Sequence, residues 1–579
     1  MKQTAKLLSL LMVLFLLLAM TACGGKAPAS GTPGDSTEVS LAEPAEETAE
    51  VPDEATAVPD AVEASDAEEV SAEDETVGAP EDSEEPEIVI EYPLFDTPQT
   101  YTIWFSNSPD LSDIINSMDE YLVFRELEKI TNVTWDPTMV SFFSSSEQFS
   151  LMVASEDYTD VVVRAVDSYS GSVDQAIEEE FLIDLSELID ENMPNLVKWF
   201  NTYPILRKQI TSDEGNIAGF PKIYKEPSDV TEGAMIRQDW LDDLGLENPK
   251  TYEELQAVLE AFRDEKGASA PLVIPSSTGV QSDFLNGYNI GSSYQVDGEV
   301  RYGMLQPEFK EYLTMMHRWY EEGLLSDSFL SSQAEVLIDM STVLNGQTGV
   351  WSGAGAQSIA NIHAMTEDTD MRITGLTNVT KDGSVAHVGT ESTLLDSIMW
   401  SITPVCEDPD VICRYIDYIY GDDGILLANY GVEGETFVYE NGEPVFTDIV
   451  TNNPNYTYSL ALNIYTCDRQ TPVPFVIDED KVRMNYSDEQ KSAVEIWSAA
   501  SDGLYNIPRQ GVNMTADETI AYNRIYSDIE TYTDENIAKF IVGDKSLDEF
   551  DSFVDTLYQM GIEECLVISQ AAYDRFVAE

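Results

Sequence analysis

Basic residues are what this 579-residue chain has least of. Its 30 Lys and Arg stand against 107 Asp and Glu, for a formal charge of −77, and none lies between Ala27 and Phe124. Phosphate recognition draws on clustered Lys and Arg, so the composition excludes a nucleic-acid binder and repels anionic membrane surfaces. Histidine is scarcer still. His317, His363 and His387 fall in no metal-ligand spacing such as H-E-x-x-H, and no nucleophile elbow occurs, so neither a metal site nor a cofactor is expected. Five cysteines are too few and scattered for a disulfide scaffold. The spacing of Cys406, Cys413, Cys467 and Cys565 matches no zinc or redox motif, and their pairing stays open, as does a structural calcium ion. Long apolar runs are missing as well. Leu7 to Leu18 falls short of the roughly 20 residues a membrane span needs.

What is present begins with that short run. Lys2 and Lys6 precede it, and small residues follow up to Ala22, which makes residues 1–22 a secretory leader. Leu18-Ala19-Met20-Thr21-Ala22-Cys23 resembles the lipobox of bacterial lipoproteins, with Met20 where that motif usually carries Leu. The resemblance implies that Cys23 takes a diacylglyceryl group and becomes the N-terminus. Residues 23–95 are rich in Pro, Ala, Ser, Thr and acid, with no aromatic before Tyr92. Such a segment cannot bury enough apolar surface to offset its ordering entropy and is expected to be an extended, disordered stalk.

The remaining length exceeds one core and predicts at least two domains. The body is expected to start near Pro98. Tyr101–Phe105 reads as strand, Tyr121–Ile130 as helix, Val133–Val140 as strand, Glu147–Ser155 as helix and Tyr158–Val163 as buried strand. This alternation predicts an α/β fold with a largely parallel sheet. Capping boxes at Thr251–Glu254 and Ser546–Glu549, and Pro307 and Pro409 at helix starts, predict four further amphipathic helices. Their apolar stripes read as core.

Several segments together resemble the extracellular solute-binding proteins of ABC importers, in the large carbohydrate-binding lipoprotein branch of family 1. They are Met152–Val162, Gly215-Asn216-Ile217-Ala218-Gly219-Phe220-Pro221, Ile236–Leu246 with Pro249 and Thr251–Leu255, Tyr430–Glu435, and Phe540–Phe550 with Ala572–Phe576. The resemblance implies a two-lobed, type II periplasmic-binding-protein-like fold with a hinge and an inter-lobe cleft. Lobe 1 is expected over 96–232 and 385–435, lobe 2 over 233–384 and 436–579, with the first crossing near Gly233–Arg237. It further implies a monomer, lipid-anchored on the extracytoplasmic face of a bacterial, Gram-positive cell membrane. That protein captures an oligosaccharide by lobe closure and delivers it to ABC permease subunits.

Leu344–Gly355 resembles the segment that carries a sugar-stacking aromatic, which nominates Trp351 with Ser352 and Gly353 beside it. Asn107 and Arg164 follow strands, at the edge where open α/β sheets bind ligands. Arg237 lies at the expected hinge, Tyr288 and Asn289 in a polar-aromatic loop, and Tyr522 is a further candidate by position. The poverty in Lys and Arg favours a neutral glycan. Two rival readings are a binding protein that reports to a membrane sensor and a secreted glycoside hydrolase. The hydrolase needs two carboxylates about 5–5.5 Å apart for retention, and 107 acidic residues single out no such pair.

Overall fold

The computed structural model describes residues 88–578 apart from 113, 275–282, 331–339, 469 and 509–510. In chain order the strands are β1 (Gln99–Asn107), β2 (Val133–Ser141), β3 (Val161–Val163) and β4 (Phe220–Tyr224), then β5 (Glu232–Arg237) and β6 (Leu272–Val273). A hairpin of β7 (Ser293–Val296) and β8 (Glu299–Tyr302) follows, then β9 (Val350–Gly355), β10 (Ile373–Gly375) and β11 (Leu395–Ile402). A second hairpin, β12 (Phe437–Glu440) and β13 (Glu443–Phe446), precedes β14 (Val476–Ile477).

Two sheets organise the two lobes. The first has the order β14-β4-β11-β3-β1-β2 and the second β10-β5-β9-β6. β1, β2 and β3 run parallel, and β11 lies antiparallel between β3 and β4. Apolar residues point to both faces of the first sheet. Ile103, Leu127, Trp400 and Tyr415 build the core on one side, and Trp104, Phe149 and Val162 that on the other. Such two-sided burial is what parallel strands under helical crossovers require. In the second lobe Leu255, Phe262, Tyr312 and Trp319 share a core with Phe540 and Phe553 from the C-terminal helices.

The capping signals read from the sequence act as expected. Thr251 and Glu254 close a capping box on helix Tyr252–Glu265, which buries Tyr252, Leu255, Val258, Leu259 and Phe262. Pro307 and Pro409 open helices Pro307–Glu321 and Pro409–Tyr420. The Ser546 box caps a 3-10 turn, Leu547–Glu549, that leads into helix Phe550–Met560. Among the described residues no helix is long and apolar enough to cross a membrane.

Four boundaries differ from expectation. The return to the first lobe falls near 389–394 and not at 385, since Ala386 bridges to Ser501 and Val388 packs in the second core. Tyr92 donates its hydroxyl to Arg414 O at 3.0 Å, and Leu94 and Phe95 pack on the first core, so residues 92–95 belong to the body and not to a stalk. The first crossing lies earlier than Gly233–Arg237, because β4 ends at Tyr224 and Val230 already packs in the second lobe. The segment 436–478 returns to the first lobe instead of completing the second: Cys467, Val473 and Phe475 join its core and β14 pairs with β4. A two-residue strand is too short to read from periodicity, which is why the sequence hid it. The described chain therefore crosses three times, near 225–231, 389–394 and 478–487. The crossings are tied by Lys225–Asp478 at 2.9 Å, Arg483–Asp229 at 2.5 Å, and Ser228 N donating to Thr393 O at 2.9 Å. Cys406, Cys413, Cys467 and Cys565 are free and buried.

One buried carboxylate has a measurable signature. Asp417 accepts from Leu196 N at 3.0 Å and Asn195 N at 3.2 Å, at the N-terminus of helix Pro194–Thr202. Burial pushes its pKa up to about 6 from 3.8, against those hydrogen bonds. A carboxyl whose folded pKa is raised binds its proton more tightly when folded, so its contribution to stability falls as pH rises from about 4 through 6. Between pH 4 and pH 7 the wild type should lose on the order of 3 kcal/mol relative to Asp417→Asn. Denaturant midpoints of both proteins across that window measure the difference.

Candidate functional site

The parallel register of β1 and β2 runs unbroken from Gln99↔Val133 to Asn107↔Ser141. Their ends therefore finish level, and the loops after them meet. β3 stops at the same edge, where Arg164 turns the chain in the left-handed region (φ 56) and its N–H donates to Met399 O at 2.6 Å. These turns enclose a cavity of about 790 Å³, within the usual range for small-molecule sites. Every described residue lining it belongs to the first lobe.

The lining combines an apolar floor with hydroxyl groups. Trp104 and Phe149, with ring centroids 5.8 Å apart, form the floor. Ser106, Ser108, Ser145, Ser146 and Ser168 supply hydroxyls and Gln470 an amide, while Thr471 is fully buried with its hydroxyl bonded to Asn463 O and accepting from Asp468 N. Phe142 lines the rim and is 57% exposed, while Phe143 beside it is 84% exposed. Their rings meet edge to face at 5.9 Å. Two adjacent aromatics left in water form an apolar face that folding alone does not account for. The doublet stands in Ser141-Phe142-Phe143-Ser144-Ser145-Ser146, and sequence reasoning missed it. The signal was available, since serines on both sides leave the pair no apolar run to join.

Three charged groups complete the lining. Arg164 Nη1 lies 3.9 Å from Asp167 Oδ2, both side chains about half exposed, and Asp110 stands on the loop after β1. Burial raises the Asp167 pKa, Arg164 opposes that shift and Asp396 adds to it. Lys222, on β4, is buried and paired with Asp396 at 3.3 Å, and no lysine is among the described lining residues. Among the described residues no cluster of His, Cys, Asp or Glu is placed to hold a metal ion.

Of the residues nominated from the sequence, Arg164 alone lines this cavity. Asn107 turns away from it. The side chain is buried, with Nδ2 donating weakly to Ile115 O at 3.4 Å. Trp351 is a core residue and not a stacking platform: it is fully buried in β9 against Ile359, Ile362 and Trp497. The glycines after it read as loop, but the strand continues to Gly355 and carries Ser352 and Gly353 within it. Ser352 is buried as well. Arg237 is buried and forked onto Asp239 through Nε at 2.8 Å and Nη2 at 2.6 Å, with its guanidinium over the Trp240 ring. Its charge is thus spent inside the second lobe.

Tyr288 stacks on Tyr252 at 4.8 Å within the second lobe. Asn289 accepts from His387 N at 2.8 Å, and Tyr522 stacks on Tyr526 at 4.9 Å. Cys23 lies outside the described residues. A core role has a direct consequence. Trp351→Ala should lower unfolding stability by about 3–5 kcal/mol, the cost of emptying a large buried site. A calorimetric midpoint that stays in place would contradict the core assignment.

No family model matches the chain. The fructooligosaccharide ABC transporter substrate-binding protein FusA of Streptococcus pneumoniae is 25% identical over 496 residues, covering 79% of this chain and 88% of that protein. The polygalacturonan/rhamnogalacturonan-binding protein YtcQ of Bacillus subtilis is 23% identical over 331 residues, 55% of this chain and 64% of that one. The crystal structure of FusA in complex with kestose superposes with a TM-score of 0.64 at 23% identity, over 83% of this chain and all of that one. An extracellular solute-binding protein from Bifidobacterium longum subsp. infantis gives 0.68 at 20% identity, over 83% of this chain and 98% of that one. The chain is a relative of the substrate-binding proteins of carbohydrate ABC transporters and shares their two-lobed α/β fold.

Proposed function

We propose that the chain captures a glycan at the sheet edge of its first lobe and hands it to an ABC transporter permease, without cleaving it. The observation that carries this is the pairing of exposed Phe142 and Phe143 with a ring of hydroxyls around an apolar floor. A pyranose or furanose ring offers an apolar face and a rim of hydroxyls, and this lining matches both. The relationship to FusA, named for fructooligosaccharide, supports the same reading.

The glycan is neutral in this reading. Arg164 is the one basic residue among those described in the lining, against Asp110 and Asp167. A uronate would bring a third carboxylate to a site with a single cation already engaged. In this respect the cavity departs from what the name of YtcQ says that protein binds.

Thermal shift against a glycan panel tests the reading. At a hundredfold excess over Kd a true ligand adds about 2.7 kcal/mol to stability. Kestose or another neutral oligosaccharide should raise the midpoint, and oligogalacturonate should leave it unmoved. Reducing ends released during incubation would refute capture without cleavage. Phe142→Ala and Phe143→Ala should each weaken glycan binding about three- to tenfold with the unliganded midpoint almost unchanged, since exposed substitutions cost within about 0.5 kcal/mol.

Attachment through Cys23 belongs to the same proposal. Two acyl chains hold a protein stably where one is marginal, at about 0.8 kcal/mol per buried CH₂. Cys23→Ser should appear in the culture medium with glycan binding intact, and retention at the cell surface would rule out the lipid anchor.

A further inference from the structure

Tyr430 opens one of the segments that carry the family resemblance, yet it lies outside the glycan cavity. It ends helix Asp422–Tyr430 and packs its ring against Phe437 and Phe446 of the β12–β13 hairpin, at 6.1 Å and 5.7 Å. The side chain is only 5% exposed, and its hydroxyl has no hydrogen-bond partner among the described residues. A buried phenol usually finds one. Tyr430 lines a second cavity, of about 650 Å³, between that helix, the hairpin and the third hinge crossing. Burial raises the Tyr430 pKa, and the carboxylates of Asp478, Asp480 and Glu443, all in the same lining, push it the same way. The hydroxyl therefore stands in an acidic field with no donor to meet it.

The walls of this cavity are of two kinds. Tyr439 and Met484 line it with large parts of their side chains exposed, and Ile425, Leu426 and Val445 extend the apolar side. The charged side is mostly acidic. Its two bases are already engaged, Lys225 with Asp478 at 2.9 Å, and Arg483 with Asp229 at 2.5 Å and Asp480 at 3.1 Å. Asp422 and Glu443 have no ion pair among the described residues. Two carboxylates without a counter-charge, a hydroxyl oxygen free to accept and an exposed aromatic ring suit a cation with N–H donors and an apolar body. An anion would meet only paired bases, and a hydrocarbon would leave the Tyr430 hydroxyl unsatisfied.

We propose that this cavity is a second binding site, for a primary ammonium compound with an aryl or alkyl body. The ammonium donates to Tyr430 Oη, Asp422 and Glu443 offset its charge, and the body rests on Tyr439 and Met484. Lys225, Asp478, Asp480 and Arg483 belong to two of the three hinge crossings, so the bound compound lies against the hinge. The site stands whether or not the sheet-edge cavity takes a glycan.

Phenethylammonium is the probe, and 3-phenylpropanoate, similar in size and opposite in charge, is its control. Calorimetry on the full-length chain reads affinity, and methionine-methyl NMR reads place. Phenethylammonium should bind about tenfold or more tightly than 3-phenylpropanoate and should shift the Met484 methyl signal, assigned with Met484→Leu. Tyr430→Phe should weaken phenethylammonium about two- to tenfold. Glu443→Gln should weaken it as well, and because Glu443 is exposed this variant decides the matter should Tyr430→Phe not fold. Equal affinity for the two probes, or no binding of phenethylammonium, would overturn the proposal. Binding that neither substitution weakens, or that leaves the Met484 signal in place, would overturn it too. A chain of formal charge −77 attracts cations to its surface at large, and that outcome would show nothing more.

Discussion

β11 is the strand on which the molecule depends. It lies antiparallel between β3 and β4, yet the chain reaches it only after passing through the second lobe. Without it the first sheet falls into two unconnected pieces. Its Trp400 ties the insertion down: the ring packs against Trp135 at 4.8 Å and Tyr415 at 6.2 Å, and Nε1 donates to Pro472 O at 2.7 Å. Because a strand from beyond the second lobe must complete the first, the lobes are joined by several short segments and not by one linker. A multiply connected hinge permits rotation while resisting sliding and wholesale separation.

The chemistry of the cleft follows from the same sheet. Parallel strands of matched register end together, and their following loops meet at one edge. Here those loops carry serines, an aromatic doublet and a single arginine. The chain is strongly acidic overall, and the described cavity lining sets a single arginine against two aspartates, which leaves little positive charge to recruit an anionic ligand.

Much of the fold was legible in the sequence because it is written in local signals. The Thr251 box, Pro307 and Pro409 each declare a helix start through an unsatisfied N–H or a fixed φ, and each helix forms where that chemistry puts it. The site was less legible. Trp351 sits in a sheet buried on both faces, so alternation carries no information about which side is the ligand's. Arg237 looked available because its partner, Asp239, is two residues away and becomes a bidentate acceptor only once the strand ends in a helix. The end of β14 in the first sheet is a tertiary fact with no local signature. Arg164 lines the cavity because it directly follows β3, at the sheet edge that topology favours.

In the proposed function the first-lobe sheet edge is the glycan's platform and the second lobe closes over it. A crystal structure of the protein with a bound neutral oligosaccharide tests this most directly. A sugar ring should lie against Phe142 or Phe143, with hydroxyls within hydrogen-bond distance of Arg164 or Asp167 and second-lobe residues covering the glycan. A glycan bound elsewhere, with this cavity holding only water, would contradict it.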